Sequence, residues 1–490
     1  HYTVPPISLR ITPVQIESAE VLMLNQPERT GNNQHTAQCF QEPAELLGQL
    51  RSLACAGLAA LLIGCGPGTV DENSGVPSAT DLPKSDTVQK VPSESKPSAE
   101  NTPNESASLA PVQYVAPALT EQELRDGWIS LFDGTTLFGW NVPSQSNWSV
   151  QDGCITADSG ERSLLLTPFE FDDFEFRCEF QLAAGGNSGV FLRTADNAKD
   201  PARDTYELNI CDSHPTHQSG SLVARSASMV PTKVEGSWHR FHVRCEGPHI
   251  KVHLDDTLTQ DFTDTSDGLR LSGKIGLQMN GGRIAFRNVF LKPLGTSELL
   301  NGKDTQGWRP VPGSKADFTV TDGVLSLSGG QGFLETEETF GDLMLHVEAR
   351  TGAEQVNSGI FFRAMEGTEK SPSNGYEFQI NHGTQNGDRN RPSDSGTGAI
   401  FRRIPARYVV GQDLEWFTAT LIAQGDQFAS WVNGFQVVNW KDTRAPDENP
   451  RKGLRLEAGH LSLQGHDPGT KADFRSIRVH RFPTAPTSNK

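Results

Sequence analysis

The stretch FEFRCEFQL, residues 174–182, alternates from end to end. Phe174, Phe176, Cys178, Phe180 and Leu182 fall on one side of an extended chain, and Glu175, Arg177, Glu179 and Gln181 on the other. A period of two with one apolar side marks an antiparallel strand with one face on a core and the other in water. RFHVRCEG (240–247) and HIKVHLDD (249–256) alternate likewise, turning Phe241, Val243 and Cys245, then Ile250, Val252 and Leu254, inward. Turn pairs DG, GG and NG separate the runs, and convincing helical periodicity is absent. A domain built this way predicts a two-sheet sandwich of jelly-roll type.

The words around this stretch occur twice, in the same order. LFDGTTLFGW (131–140) returns as LLNGKDTQGW (299–308), NSGVFLR (187–193) as NSGIFFR (357–363), and YELNI (206–210) as YEFQI (376–380). WHRFHVRCEG (238–247) matches WFTATLIAQG (416–425), and GKIGLQ (273–278) matches GHLSLQ (459–464). The chain therefore carries a tandem repeat, at 129–295 and 297–483, each copy long enough for a core of its own. The fold class is all-β, two tandem sandwiches.

The first 128 residues differ. LRSLACAGLAALLIGCG (50–66) is a short apolar run after Arg51 that ends in small residues and a cysteine. That is the shape of an export signal, and it is too short for a stable membrane span. Leu62-Ile63-Gly64-Cys65 resembles a bacterial lipobox, so 47–65 is expected to be a lipoprotein-type signal with Cys65 lipidated; the alternative is a buried apolar helix. Residues 1–46 are expected to be untranslated or disordered. Residues 66–125, rich in Pro, Ser and Thr, read as a disordered tether that buries too little apolar surface to offset its ordering entropy. These features predict a bacterial cell-envelope protein held to the membrane through a lipid anchor only.

A net charge of −17 without a basic stripe or arm argues against nucleic acid. Four cysteines fall in the first repeat, at 154, 178, 211 and 245. The second repeat has Val324, Val347 and Ala423 opposite Cys154, Cys178 and Cys245, so these are small apolar core positions rather than required disulfides or metal thiolates. No metal set or cofactor is identified, and a divalent cation is left open. His214 and His217 lie in a polar loop without a third ligand.

Faithful repetition of the polar side is the functional signal. Beside the apolar Val190, Leu192, Ile360 and Phe362, the copies both carry Asn187, Phe191 and Arg193, or Asn357, Phe361 and Arg363, on the other face. Glu207 with Asn209, and Glu377 with Gln379, face the same way in the neighbouring run. An amide, an arginine, a carboxylate and a ring on solvated sheet faces suit a sugar.

At these residues the chain resembles the 3-keto-disaccharide hydrolase domain family. Shared motifs are F-D/N-G…G-W, N-S-G-[IV]-F-[FL]-R, Y-E-x-[QN]-I, G-x-W, a late LQ, and F-R-[NS]-[IV] at Phe286–Val289 and Phe474–Ile477. The copies depart from the family's pattern at His382, where the first copy keeps Asp212, and after the late LQ, where they read Met279-Asn280-Gly281 and Gly465-His466-Asp467. The resemblance implies a concanavalin-like jelly roll. It also implies cleavage of glycosides already oxidised at sugar C3, with a 3-dehydrogenase acting upstream.

The implied chemistry needs a base for the C2 hydrogen, a group to polarise the ketone and a donor for the leaving oxygen, each worth about 10²–10⁴-fold. Glu207 and Glu377 are the expected bases. Asp212 and His382 are second acid or base groups, although their phase along the strand is wrong unless it ends or bulges. Arg193, Arg363, Asn187 and Asn357 are expected to hold the ketone and hydroxyls, joined by Phe191, Phe361, Gln379, Trp431 and His466. The bland readings stay open: Glu207 and Arg193 as a cross-strand ion pair, the asparagines as turn residues, and the whole as a lectin-like carbohydrate-binding protein or an adhesion module.

Overall fold

The computed structural model describes residues 111–483; residues 1–46, the signal with Cys65, and the tether up to 110 lie outside the described residues. The alternating runs pair antiparallel into two sandwiches. In the first, the larger sheet runs Thr257–Thr263, His249–Leu254, Trp238–Glu246, Phe174–Leu182, Ile284–Pro293, Cys154–Ala157, Ser149–Gln151, with Ile129–Ser130 beside Ile284–Pro293. The smaller sheet runs Ser163–Leu166, Lys274–Gly281, Asn187–Thr194, Tyr206–Ile210. The second sandwich repeats this: Asp317–Thr321, Val324–Ser328, Ala472–Arg481, Leu343–Thr351, Trp416–Gln424, Gln427–Val432, Phe435–Lys441, then Trp308–Pro310, Gly332–Thr336, His460–Gly465, Ser358–Met365, Asn374–Ile380. Neighbouring strands come from distant parts of the chain, the connectivity of a jelly roll. The all-β, two-copy architecture is therefore as the alternation predicts.

FEFRCEFQL buries its five apolar residues and leaves the other four half-buried. Cys178, Cys245, Val347 and Ala423 are all buried. The four cysteines in the described part are free. Burial pushes the Cys245 thiol up to about 12, the mark of an inert core residue.

Two expectations about solvated faces fail. The strands Asn187–Thr194, Tyr206–Ile210, Ser358–Met365 and Asn374–Ile380 are buried almost throughout, on both faces. One cause is a return segment that pairs along the outer edge in each copy. Gly220 N donates to Asn209 O at 2.9 Å and Val223 N to Glu207 O at 2.9 Å, while Gly398 N donates to Gln379 O at 2.9 Å and Phe401 N to Glu377 O at 2.9 Å.

The larger sheet of the second copy is also covered on its outer side, because the first copy packs there. Met344, Ile422, Ala429, Trp431 and Phe482 join the apolar core of the first repeat. Trp431, expected on a sugar-stacking face, is 2% exposed and donates its Nε1 to Ser130 O at 2.8 Å. The junction is closed by the Gln424 side chain on the Glu170 backbone (2.9 and 3.1 Å), Arg407–Asp133 at 2.8 Å, and His480–Asp172 at 2.9 Å.

The tether reading also extends too far, since residues 111–125 are ordered. Tyr114 stacks on Tyr408 with centroids 4.9 Å apart, and Val112 packs on the second core. Thr120 and Glu123 then form a capping box that starts the helix Glu121–Asp126, which ends on left-handed Gly127. No helix among the described residues is long and apolar enough to cross a membrane.

Candidate active site

Register brings the repeated polar residues together on the outer face of each smaller sheet. Phe191 pairs with Glu207 and Gly189 with Asn209; in the second copy Phe361 pairs with Glu377 and Gly359 with Gln379. The glycine of N-S-G has a steric reason. A Cβ on Gly359 would lie 3.1 Å from both Cγ and Oε1 of Glu377, and one on Gly189 would lie 3.5 Å from Glu207 Cγ. The glutamate side chain lies over the glycine, so the two motifs are halves of one site.

Glu377 is 5% exposed, and Arg451 Nη2 stands 3.1 Å from its Oε2. Burial raises its pKa above the ordinary carboxylate range; Arg451 opposes the rise, Asp394 adds to it, and His466 opposes it. Asn357 donates to Asp394 Oδ2 at 2.8 Å and accepts from Gln379 Nε2 at 3.0 Å, which also reaches Asp394 at 3.2 Å. The buried amide oxygens of Gln379 and Gln464 have no hydrogen-bond partner among the described residues, and an unpaired buried acceptor is a place for a hydroxyl of a ligand. His466 is half exposed and holds Asp467 Oδ2 at 2.9 Å through Nδ1.

The first copy is leaner. Burial raises the Glu207 pKa as well, against Arg162, whose guanidinium is 4.0 Å away, and the Gln278 amide, which donates at 3.1 Å. Asn187 is half-buried at the strand start, and Asn209 spends its amide on His217 O. His214 Nδ1 accepts from His217 N at 2.8 Å, a loop-internal bond. Among the described residues no group of three or more His, Cys, Asp or Glu is arranged to hold a metal ion.

Several expected members are elsewhere. Arg193 and Arg363 are wholly buried, at φ 49° and 46°. That left-handed step interrupts the alternation, so the guanidinium turns into the rim between the sheets. Arg193 Nη1 donates to Gly247 O at 2.6 Å and Arg270 O at 3.0 Å, and Nη2 to Asp173 Oδ1 at 2.9 Å. Arg363 repeats this on Gly425 O (2.7 Å), Arg455 O (3.0 Å) and Asp342 Oδ1 (2.6 Å). They clamp the fold and pair with neither glutamate. Phe191 and Phe361 are buried too, Phe361 against Phe333 and beneath Arg451, and offer no open ring face.

Asp212 is saturated, accepting from Ser219 Oγ at 2.8 Å, Val234 N at 2.8 Å and Glu235 N at 3.1 Å. His382 turns away, its Nδ1 3.1 Å from Thr397 Oγ1 and its ring edge-on to Phe417 at 4.8 Å. Burial brings it down to about 4. The strands do end, at Ile210 and Ile380, so the alternation no longer binds Asp212 and His382; it is their own partners that hold them away from the glutamates.

Residues the sequence reading passed over are Arg451, Asp394, Gln278, Gln464 and Arg162. The glutamines were visible in the recurring LQ. The return segments SGSLVAR (219–225) and TGAIFRR (397–403) also repeat, a signal that goes unused without the fold.

Fold and site together define a tandem jelly-roll protein with a recessed, burial-poised glutamate on each smaller sheet. The chain belongs to the 3-keto-alpha-glucoside-1,2-lyase-like domain family, whose model matches residues 127–292 and again 295–480. A relative from Bacteroides thetaiotaomicron, the 3-keto-disaccharide hydrolase, is 25% identical over 231 residues, 34% of this chain and 79% of that protein. A solved structure from Parabacteroides distasonis named as a glycosyl hydrolase is 21% identical, covering 37% of this chain and all of that one, at a TM-score of 0.34. A carbohydrate-binding module from Bacillus subtilis is 20% identical over 31% of this chain and 95% of its own, at a TM-score of 0.27.

Proposed function

We propose that the chain cleaves 3-keto-glycosides and that the second repeat does the cutting. One observation carries this: Glu377 is buried, raised in pKa, and converges with Arg451, Gln379, Asn357 and His466. In the proposed reaction the Glu377 carboxylate takes the C2 proton, acidified by the C3 ketone. The C2–H electron pair first forms a C2–C3 enolate with the charge on the C3 oxygen. As the ketone reforms, the pair becomes the C1–C2 double bond and the C1–O bond breaks, its electrons leaving on the departing oxygen. His466 supplies a proton to the departing oxygen, and Arg451 stabilises the enolate oxygen. Water then adds across C1–C2, completing net hydrolysis. An upstream oxidation at C3 supplies the substrate, and a lipid anchor at Cys65 keeps the enzyme at the cell envelope.

The full chain is incubated with 3-keto-disaccharides and their unoxidised parents. Glu377→Gln is expected to lose at least about 10²-fold in kcat/KM, while Glu207→Gln keeps most of the rate. If the double variant cleaves as well as the parent, the base is misassigned.

A second reading concerns the first repeat. An open groove of about 840 Å³ is lined by Arg162, Leu164, Leu166, Asp196 and Lys199, and Arg162 reaches Glu207. That size suits a sugar, which favours a glycan-gripping role for this copy.

A further inference from the structure

Beside Glu377 the second repeat has a cavity of about 70 Å³, walled by Glu377, Phe401, Arg402, Arg403, Pro450 and Arg451. Space for about two waters, at ~30 Å³ each, is too small for a sugar ring and about right for a carboxylate or sulfate group. Its charge is unusual for a chain of net −17. Three arginines line it beside one carboxylate, and neither Arg402 nor Arg403 makes an ion pair among the described residues.

The comparison between copies explains how Arg403 is free. The return segments put Arg225 and Arg403 at matching places. In the first copy Arg225 is held by Asp264 at 2.6 Å, the same carboxylate that accepts from Tyr206 OH at 2.6 Å. In the second copy Tyr376 OH donates to Asp442 at 2.7 Å, but Arg444 occupies that carboxylate at 2.7 Å. Arg403 is thereby released and, among the described residues, its guanidinium donates only to the backbone oxygens of Arg402 and Arg451. Burial and the nearby guanidinium groups of Arg444 and Arg451 lower its pKa, as expected of a cation awaiting an anion. The first copy has Ala224 where the second has Arg402, so the cluster belongs to the second repeat alone.

We propose that Arg402, Arg403 and Arg451 form an anion-binding subsite beside Glu377 that receives a carboxylate or sulfate carried by the sugar substrate. Planar guanidinium forks match both groups. The inference rests on the reading of Glu377 as the cleavage site and narrows its substrates to acidic glycosides.

Its test uses the full chain and three 3-keto-glucosides that differ only in the leaving sugar: glucose, glucuronic acid, or a sulfated glucose. At low salt, at least one acidic substrate is expected to show a KM about tenfold below the neutral one. In Arg402→Ser/Arg403→Gln that ratio falls towards one. Preference for glucuronate or for sulfate tells which anion the subsite takes. Calorimetric titration with the unoxidised acidic and neutral disaccharides reads the subsite without turnover. If no ketoside is cleaved but the acidic disaccharide binds tighter and the double variant erases the difference, the cleavage reading fails and the subsite stands. Equal KM and equal Kd for acidic and neutral sugars overturn it.

Discussion

The missing side chain of Gly359 makes room for Glu377: a Cβ there would stand 3.1 Å from Oε1 and 3.1 Å from Phe378 O. Neither Phe378 O, fixed in the ladder, nor the buried carboxylate can retreat freely, so Gly359→Ala should displace the carboxylate. Overpacking of this kind costs about 1–3 kcal/mol, while misplacing a catalytic group by ~1 Å can cost about 10²-fold in rate. The expected outcome is a cooperative melt a few degrees lower with cleavage of 3-keto-disaccharides largely lost. Full activity in Gly359→Ala would remove the glutamate from the site.

Arg363 is a clamp, and its loss should be read in the melt. Arg363→Leu would leave the carbonyls of Gly425 and Arg455 without the guanidinium and the Asp342 carboxylate with Gly425 N as its remaining donor. Breaking a largely buried ion pair costs about 3 kcal/mol, the low end applying because Asp342 is half-buried and keeps one donor. Arg363→Lys should not rescue it, since one ammonium cannot span three acceptors in different directions. Calorimetry decides: an unchanged Tm with a raised KM would return the residue to the substrate.

The same arginine shows where sequence reading stopped. Strict alternation carried FEFRCEFQL into the fold correctly, because nothing interrupts that strand. NSGVFLR breaks the rule at its last residue, where a left-handed step turns Arg193 inward, and no residue type announces such a step. The covered sheet of the second copy was partly legible. Met344 stands where the first copy has Glu175, and an apolar residue on both faces of a strand means a partner on both. Trp431 became readable only once that partner was seen to be the first repeat. Arg451 was beyond reach, since its loop has no matching arginine in the first copy and its meeting with Glu377 is a product of tertiary folding.

Protonation of Glu377 should set the acid limb of the rate profile. Its pKa lies above the ordinary carboxylate range because burial outweighs Arg451. A base works when deprotonated, so kcat/KM falls as pH drops through that raised value. Arg451→Gln removes the opposing cation, and the limb should move to higher pH. Stability runs the other way: a carboxyl with a raised folded pKa contributes stability below its unfolded value, and this is lost as pH rises through the folded one. Glu377→Gln should therefore melt no lower than the parent at pH 8, while inactive. A limb that stays put or moves down in Arg451→Gln would contradict the pairing.

Across the junction of the repeats, His480 Nε2 stands 2.9 Å from Asp172 Oδ1. Burial lowers the imidazole pKa, but the hydrogen bond and charge of Asp172 raise it by more, and the net shift is upward. A histidine raised on folding contributes stability that is fully present below its ordinary value of about 6.5, and that contribution fades as pH climbs through the folded value. The parent's Tm should therefore fall between pH 6 and pH 8 by more than that of His480→Gln, which keeps a polar contact but cannot titrate. Asp172→Asn should flatten the dependence in the same way, because the neutral amide no longer favours the imidazolium. Identical pH slopes in the parent and both variants would show that the junction gains nothing from this pair.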